Sequence, residues 1–138
     1  MKLLLTFLVV AFATNSFSQA ANDNELITAV VTDYIEGRNN GEIDRLTNAF
    51  LPTATLKGVD KDNKSIIVTP AAEYIARHTP GRKQTCKADI AFIDQSGNIA
   101  VAKVIITYST HAYHDYLILM KVDGKWSISD KIYYKQEF

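Results

Sequence analysis

A single cysteine, Cys86, is all the thiol chemistry the chain contains. An intrachain disulfide is therefore excluded, and the fold has to rest on its apolar core. Cys86 falls in an expected strand with no base placed beside it, so it reads as a small packed residue rather than a nucleophile. Charge of one sign is missing too: Lys and Arg number 15, Asp and Glu 15. With no basic block, nucleic acid is not an expected partner. Beyond the N-terminus no apolar run approaches the ~20 residues that cross a bilayer, so the mature chain is expected to have no membrane span. Repeats, linkers and low-complexity segments are also lacking. One domain remains, of roughly 120 residues after the leader, able to bury about two thirds of its unfolded surface.

The leader is the stretch from Met1 to Ser18. Lys2 is followed by an apolar run through Ala13 and then by Thr14-Asn15-Ser16-Phe17-Ser18. One positive charge, a run too short to span, and small residues at Ser16 and Ser18 are the marks of a secretory signal peptide. Cleavage is expected after Ser18, with Ala20 and Ala21 as alternatives, leaving a single exported domain of residues 19–138 in the periplasm or outside the cell.

Helical periodicity follows. Asn22-Asp23-Asn24-Glu25 offers a cap and early acids, and Leu26, Ile27, Val30, Val31, Tyr34 and Ile35 recur on one face. This first helix is expected to end near Gly37–Gly41, where Asn and Gly permit the left-handed conformation of a helix terminus. A short second helix carries Ile43, Leu46, Ala49 and Phe50 on one side and is expected to stop at Pro52. Two short strands, Ala54–Val59 and Ser65–Val68, flank a polar turn. Thr69 and Pro70 then open a third helix containing Tyr74 and Ile75.

The rest is β: Gln84–Ile93, Ile99–Tyr108, Tyr113–Val122 and Lys125–Tyr134. Asp123-Gly124 between two alternating runs is a strong hairpin signal, because both turn residues must take positive φ. Along Val101–Tyr108 and Tyr116–Met120 apolar residues point to both sides of the pleat. Helices can cover only one of those faces, so the other is expected to pack on a second subunit as a homodimer.

This order of elements, with Tyr34-Ile35-Glu36-Gly37-Arg38-Asn39-Asn40-Gly41-Glu42, Ala49-Phe50-Leu51-Pro52-Thr53-Ala54, Asp115-Tyr116-Leu117 and Asp123-Gly124-Lys125-Trp126-Ser127-Ile128-Ser129-Asp130-Lys131, resembles NTF2-like (SnoaL-like, ketosteroid-isomerase-like) domains. Within them it is similar to the family labelled putative lumazine-binding. The resemblance covers nearly the whole mature chain. It implies an α+β cone, a curved antiparallel sheet wrapped around about three helices, with a pocket at its open end. It supplies no catalytic residues to carry over.

Aromatic residues on faces expected to point inward are the natural pocket liners: Tyr34, Phe50, Tyr74, Tyr116 and Trp126. By the two-residue period of a strand, His111, Tyr113 and Asp115 share one side and His114 and Tyr116 the other. His114 and Asp115 are the candidate acid and base, with Tyr116 or Tyr34 as an oxyanion donor, for proton abstraction beside a carbonyl as in the isomerase relatives. A metal is not expected, since two imidazoles on opposite faces do not converge on one ion. No cofactor is expected either. Lys131 and Asp130 form a charged pair at the end of the last strand, more in keeping with a solvated or interface ion pair than with ligand recognition. Asn63-Lys64-Ser65 matches a glycosylation sequon on a turn. The reading that results is a non-catalytic domain binding a small, partly aromatic molecule in the cone. The alternatives are a SnoaL or ketosteroid-isomerase type enzyme using a His/Asp group, and a dimeric partner-binding scaffold.

Overall fold

The computed structural model of the chain describes residues 8–138; residues 1–7 of the expected leader lie outside them. Helix α1 runs over Leu8–Asn40. No Gly or Pro interrupts residues 8–21, so the helix passes through the segment expected to cap it. Asp23, placed in that cap on sequence grounds, is instead buried. Its Oδ1 accepts hydrogen bonds from Lys121 Nζ at 2.7 Å and Trp126 Nε1 at 3.1 Å. The amphipathic stripe is as expected: Ile27, Val31, Tyr34 and Ile35 are all buried.

Gly41, at φ +68°, ends α1 in the left-handed conformation. Helix α2 follows at Ile43–Ala49 and crosses α1 so closely that a β-carbon on Gly37 would stand 2.6 Å from the backbone nitrogen of Leu46. The helix stops before Pro52, because Phe50 is already extended. Strand β1 therefore spans Phe50–Val59. Pro52 falls where its pairing lapses between Phe50 and Thr55, the one kind of site where a strand tolerates a missing N–H.

Strand β2, Ile66–Pro70, pairs antiparallel with β1. Because Thr69 and Pro70 stay in that ladder, helix α3 begins one residue later than expected and covers Ala71–Ala76. Four long strands complete the chain: β3 (Lys87–Ser96), β4 (Ile99–Thr107), β5 (His111–Val122) and β6 (Lys125–Glu137). They form an antiparallel meander, and Asp123 and Gly124 take positive φ in the turn as expected. The sheet order is β2-β1-β6-β5-β4-β3. Strand β1 joins β6 in parallel, so the sheet is mixed rather than wholly antiparallel.

One face of this sheet packs on the helices. Ala100, Ala102, Val104 and Ile106 of β4, Leu117 and Leu119 of β5, and Trp126 and Ile128 of β6 supply its core. The opposite face carries Phe92, Ile99, Tyr116, Met120, Ile132 and Tyr134, all exposed. No helix among the described residues covers it. Strand β6 is irregular in its middle. Leu119 faces Ile128 while Ile118 faces Asp130, so Ser129 is an extra residue, a bulge that reverses the inward and outward alternation after it.

Candidate functional site

The reversal turns Lys131 inward. It is only 4 % exposed, at the floor of the cone beneath the end of α1. Tyr34 Oη donates to Asp115 Oδ2 at 2.6 Å, and Lys131 Nζ reaches Tyr34 Oη at 2.9 Å and Asp115 Oδ2 at 3.4 Å. Burial, then the adjacent Asp115 charge, holds the Tyr34 phenol well above its ordinary pKa, so the hydroxyl stays a neutral donor. The ammonium also lies over three rings, 5.3 Å from Tyr34, 4.7 Å from Tyr74 and 5.4 Å from Tyr133, each offering its negative face to the cation. Asp115 Oδ1 and the Tyr74 hydroxyl are buried without a hydrogen-bond partner.

One helical turn beyond Tyr34 stands Arg38, 8 % exposed. Its guanidinium carbon is 5.6 Å from the ring centroids of both Tyr108 and Tyr113, and its Nη1 donates to Asn39 Oδ1 at 2.8 Å. Among the described residues no carboxylate pairs with it. Burial works against its charge, but the oxygens of Tyr34, Tyr74 and Tyr108 outweigh that and its pKa is raised. Between Arg38 and Lys131 opens a cavity of about 180 Å³. Its walls are aromatic and aliphatic (Tyr74, Tyr113, Tyr133 and Leu56), and Arg77, His78 and the buried Thr69 complete the lining. His78 Nδ1 lies 3.0 Å from the Tyr74 carbonyl and so carries the proton. Burial lowers its pKa, leaving a neutral ring whose Nε2 is an acceptor.

The sequence candidates divide. Tyr74 is in the cavity wall, whereas Tyr34 is fully buried beneath it and meets the cavity only through Lys131. Phe50 is inward but lies behind them, 5.8 Å from the Tyr34 ring and 6.1 Å from that of Tyr74. Trp126 closes the packed end of the cone on Asp23 and lines no part of the cavity. Tyr116 is not a liner: it is 40 % exposed on the outer face, against Phe92 and Lys103. His114 is on that outer face as well, bonded to Gln136 Oε1 at 2.9 Å, so His114 and Asp115 do not form an acid and base pair. Alternation along β5 separates adjacent residues by the thickness of the sheet. His111 stacks on Tyr108 with ring centroids 4.6 Å apart. Asp130 and Lys131 are not partners either, since Asp130 accepts from Lys57 Nζ at 2.7 Å and Thr55 Oγ1 at 2.9 Å.

Arg38, Arg77, His78, Tyr113 and Tyr133 were not among the predicted site residues. A signal existed for Arg38, because the 27, 31, 34 spacing continues to 38 and puts a charge on the helix's core stripe. Nothing local marked the Ser129 bulge, and without it simple alternation sends Lys131 to the outside.

The helix-backed mixed sheet with a polar cavity at its open end defines an NTF2-like domain. Residues 22–134 match the family described as Putative lumazine-binding, and the chain belongs to that family. It is similar to an NTF2-like protein of unknown function from Shewanella baltica, with 31% identity and a TM-score of 0.73 over 84% of this chain and 95% of that one. A second such protein, from Silicibacter pomeroyi, has 19% identity and a TM-score of 0.73 over 85% of this chain and 98% of that one. Among curated proteins, the aldolase FrzH of a Cladobotryum species is 24% identical over 115 residues, 83% of this chain and 92% of that protein.

Asp115 is the single acid among the buried cations of the floor, and removing it leaves Lys131 in an apolar setting without a counter-charge. Asp115→Asn is therefore expected to lower stability by about 3 kcal/mol, measured as a shift in urea unfolding midpoint at pH 7. A change within experimental error would show that the pair is not what holds the floor together.

Proposed function

We propose that this domain binds a small, planar, partly aromatic anion in the cone cavity, without turning it over. The observation that carries this reading is Arg38. A buried guanidinium without a counter-ion costs several kcal/mol, and a carboxylate entering the cavity would meet it with two parallel hydrogen bonds. Lys131 lies opposite, its one acid shared behind it with Tyr34. The size fits a single-ring acid, since about 150 Å³ is enough for one benzene ring. The walls offer ring faces and edges to such a ligand. Membership of a family named for ligand binding supports the same reading.

Isothermal titration with benzoate and 4-hydroxybenzoate tests it. Binding to the wild-type protein is expected to weaken at least ~10-fold in Arg38→Gln, a change that also relieves a buried charge and so leaves the fold standing. Equal affinities in the two proteins would remove the basis for an anion pocket.

A second reading is proton transfer beside a carbonyl. Lys131 at the cavity wall, Tyr34 and Asp115 form a relay of 2.9 Å and 2.6 Å, and the distant relative FrzH is named an aldolase. On this reading Tyr34→Phe cuts the relay while keeping the ring. Retro-aldol cleavage of a β-hydroxy ketone, or exchange of its α-proton for deuterium, should then fall at least ~100-fold. An inert wild-type protein in both assays ends this reading and leaves the first untouched.

The leader and the bare outer face complete the proposal: export, removal of residues 1–18, and a homodimer through the sheet. Six large apolar side chains exposed on one face support the dimer. Native mass spectrometry of protein purified from the exported fraction should give twice the mass of residues 19–138. A monomer, or a chain still carrying its leader, would overturn the corresponding part.

A further inference from the structure

The cavity does not end at His78. Beyond it lies a second hollow of about 220 Å³, bounded by Gly41, Arg77, His78, Thr79, Arg82 and Gln84. Arg77 and His78 line both spaces, so the two are adjoining compartments with a common wall. Their linings differ in kind. The inner one sets the rings of Tyr74, Tyr113 and Tyr133 and the side chain of Leu56 beside Arg38 and Lys131, whereas the outer one has no aromatic wall beyond the shared imidazole and is lined by two arginines, a threonine and a glutamine, with no carboxylate. Neither Arg77 nor Arg82 is paired with an acid among the described residues.

The outer compartment is open, with Arg77, Thr79, Arg82 and Gln84 all exposed, but the backbone that carries them is fixed. The loop carrying Arg82 is tied to the end of α1 by Gly81 N to Gly41 O at 2.9 Å and Gln84 N to Asn39 O at 2.7 Å, and it is closed on itself by Arg82 N to Thr79 O at 3.1 Å. The contact depends on Gly41. A β-carbon there would stand 2.5 Å from the Thr79 carbonyl oxygen and 2.7 Å from Arg82 N, and its φ of +68° already excludes most side chains. The turn that ends α1 therefore also seats the loop that brings Arg82 to the same hollow as Arg77. His78 spends Nδ1 on the Tyr74 carbonyl, so its ring serves as the partition between the compartments and the arginines are left as the groups that meet an anion.

We propose that this vestibule is a second oxyanion subsite, occupied by a phosphate or carboxylate on the outward end of the molecule held inside, so that the ligand is an aromatic molecule with an acidic group at each end. The inference rests on the anion reading of the inner cavity and extends it. A ring among the tyrosines with one acidic group toward Arg38 and Lys131 would direct its other end past His78 to Arg77 and Arg82. Arginine's planar fork suits either oxyanion, since both present paired oxygens.

The test uses three para-substituted benzoates on the mature full chain: monomethyl terephthalate, terephthalate and 4-carboxyphenyl methyl phosphate, a phosphodiester with one charge on the phosphate. The first two have closely similar shape and differ in the second charge; the third carries the phosphate. Titration calorimetry is expected to show both dianions binding roughly tenfold tighter than the monoester. In Arg82→Gln the dianions should fall to the level of the monoester, whose own affinity stays as it was. The histidine ring signals in the NMR spectrum add a readout of place, with His78 expected to shift on dianion binding and His114 to stay. The tighter of the two dianions identifies the group the vestibule takes. If all three bind alike, the vestibule is no subsite and the inner pocket stands; if none binds, the anion reading falls and this inference with it. A dianion preference that survives Arg82→Gln would also overturn it, as general attraction to a cationic surface.

Discussion

Asp115 Oδ2 receives the Tyr34 hydroxyl and the Lys131 ammonium on one atom, in a place water does not reach. Three segments that are distant in sequence meet there: the C-terminal turns of α1, the middle of β5 and the bulged half of β6. A buried charge without partners is costly enough that the elements are held to one arrangement, in which helix and sheet both contribute. The axial rotation of α1 follows from this contact. With Tyr34 turned to Asp115, Arg38 one turn later faces the same cavity, and Gly37 is left toward α2, where only a hydrogen fits against Leu46. Packing alone would tolerate a helix rotated by several degrees; a 2.6 Å hydrogen bond to a carboxylate does not.

The cone is divided by polarity along its length. At the packed end, Trp126, Ile128, Leu119 and Ile27 fill the space between helix and sheet, with Asp23 clasping the β5–β6 hairpin to α1. Toward the other end phenols and cations replace aliphatic side chains, and the packing opens into a cavity. The same strands therefore serve as core at one end and as binding wall at the other. Tyrosine suits the boundary because its ring packs like an apolar residue while its oxygen meets charge or water. Positive charge gathers at the open end although the chain as a whole is balanced, 15 against 15. Local arrangement, not composition, sets the field a ligand meets.

The elements of the fold were legible because each carries its own period. The stripe on α1, the Asp123-Gly124 turn and the apolar runs of β4 and β5 all depend on neighbours in sequence, and local pattern is enough to reveal them. The site was legible only in part. Tyr34 and Tyr74 lie on regular helical faces, which is enough to show that they point inward. Asp115 stands out as an acid in an apolar strand, but alternation alone leaves its face open, and its neighbour His114 has its side chain on the far side of the sheet. Tyr116 was misplaced because an aromatic in an apolar strand gives no hint of which face the helices will cover. Lys131 was weighed against Asp130 and set aside, for a reason that lies in the pairing of β6 with β5, a long-range fact.

That pairing has a consequence for how this pocket varies in descent. Ser129 contributes no side chain to the cavity, yet the extra residue it represents decides that Lys131 and Tyr133 look inward while Asp130 and Ile132 look out. The identity of the pocket is thus written in strand register as much as in residue type. Were Ser129 to take a regular place opposite Ile118, β6 would slide by one residue and the two sets would exchange, setting a carboxylate and an isoleucine where an ammonium and a phenol now stand. Deleting Ser129, by contrast, would leave Asp130 opposite Ile118 and Lys131 opposite Leu117, so a relative one residue shorter here presents the same charge to a ligand, and one of equal length with a regular strand presents the opposite.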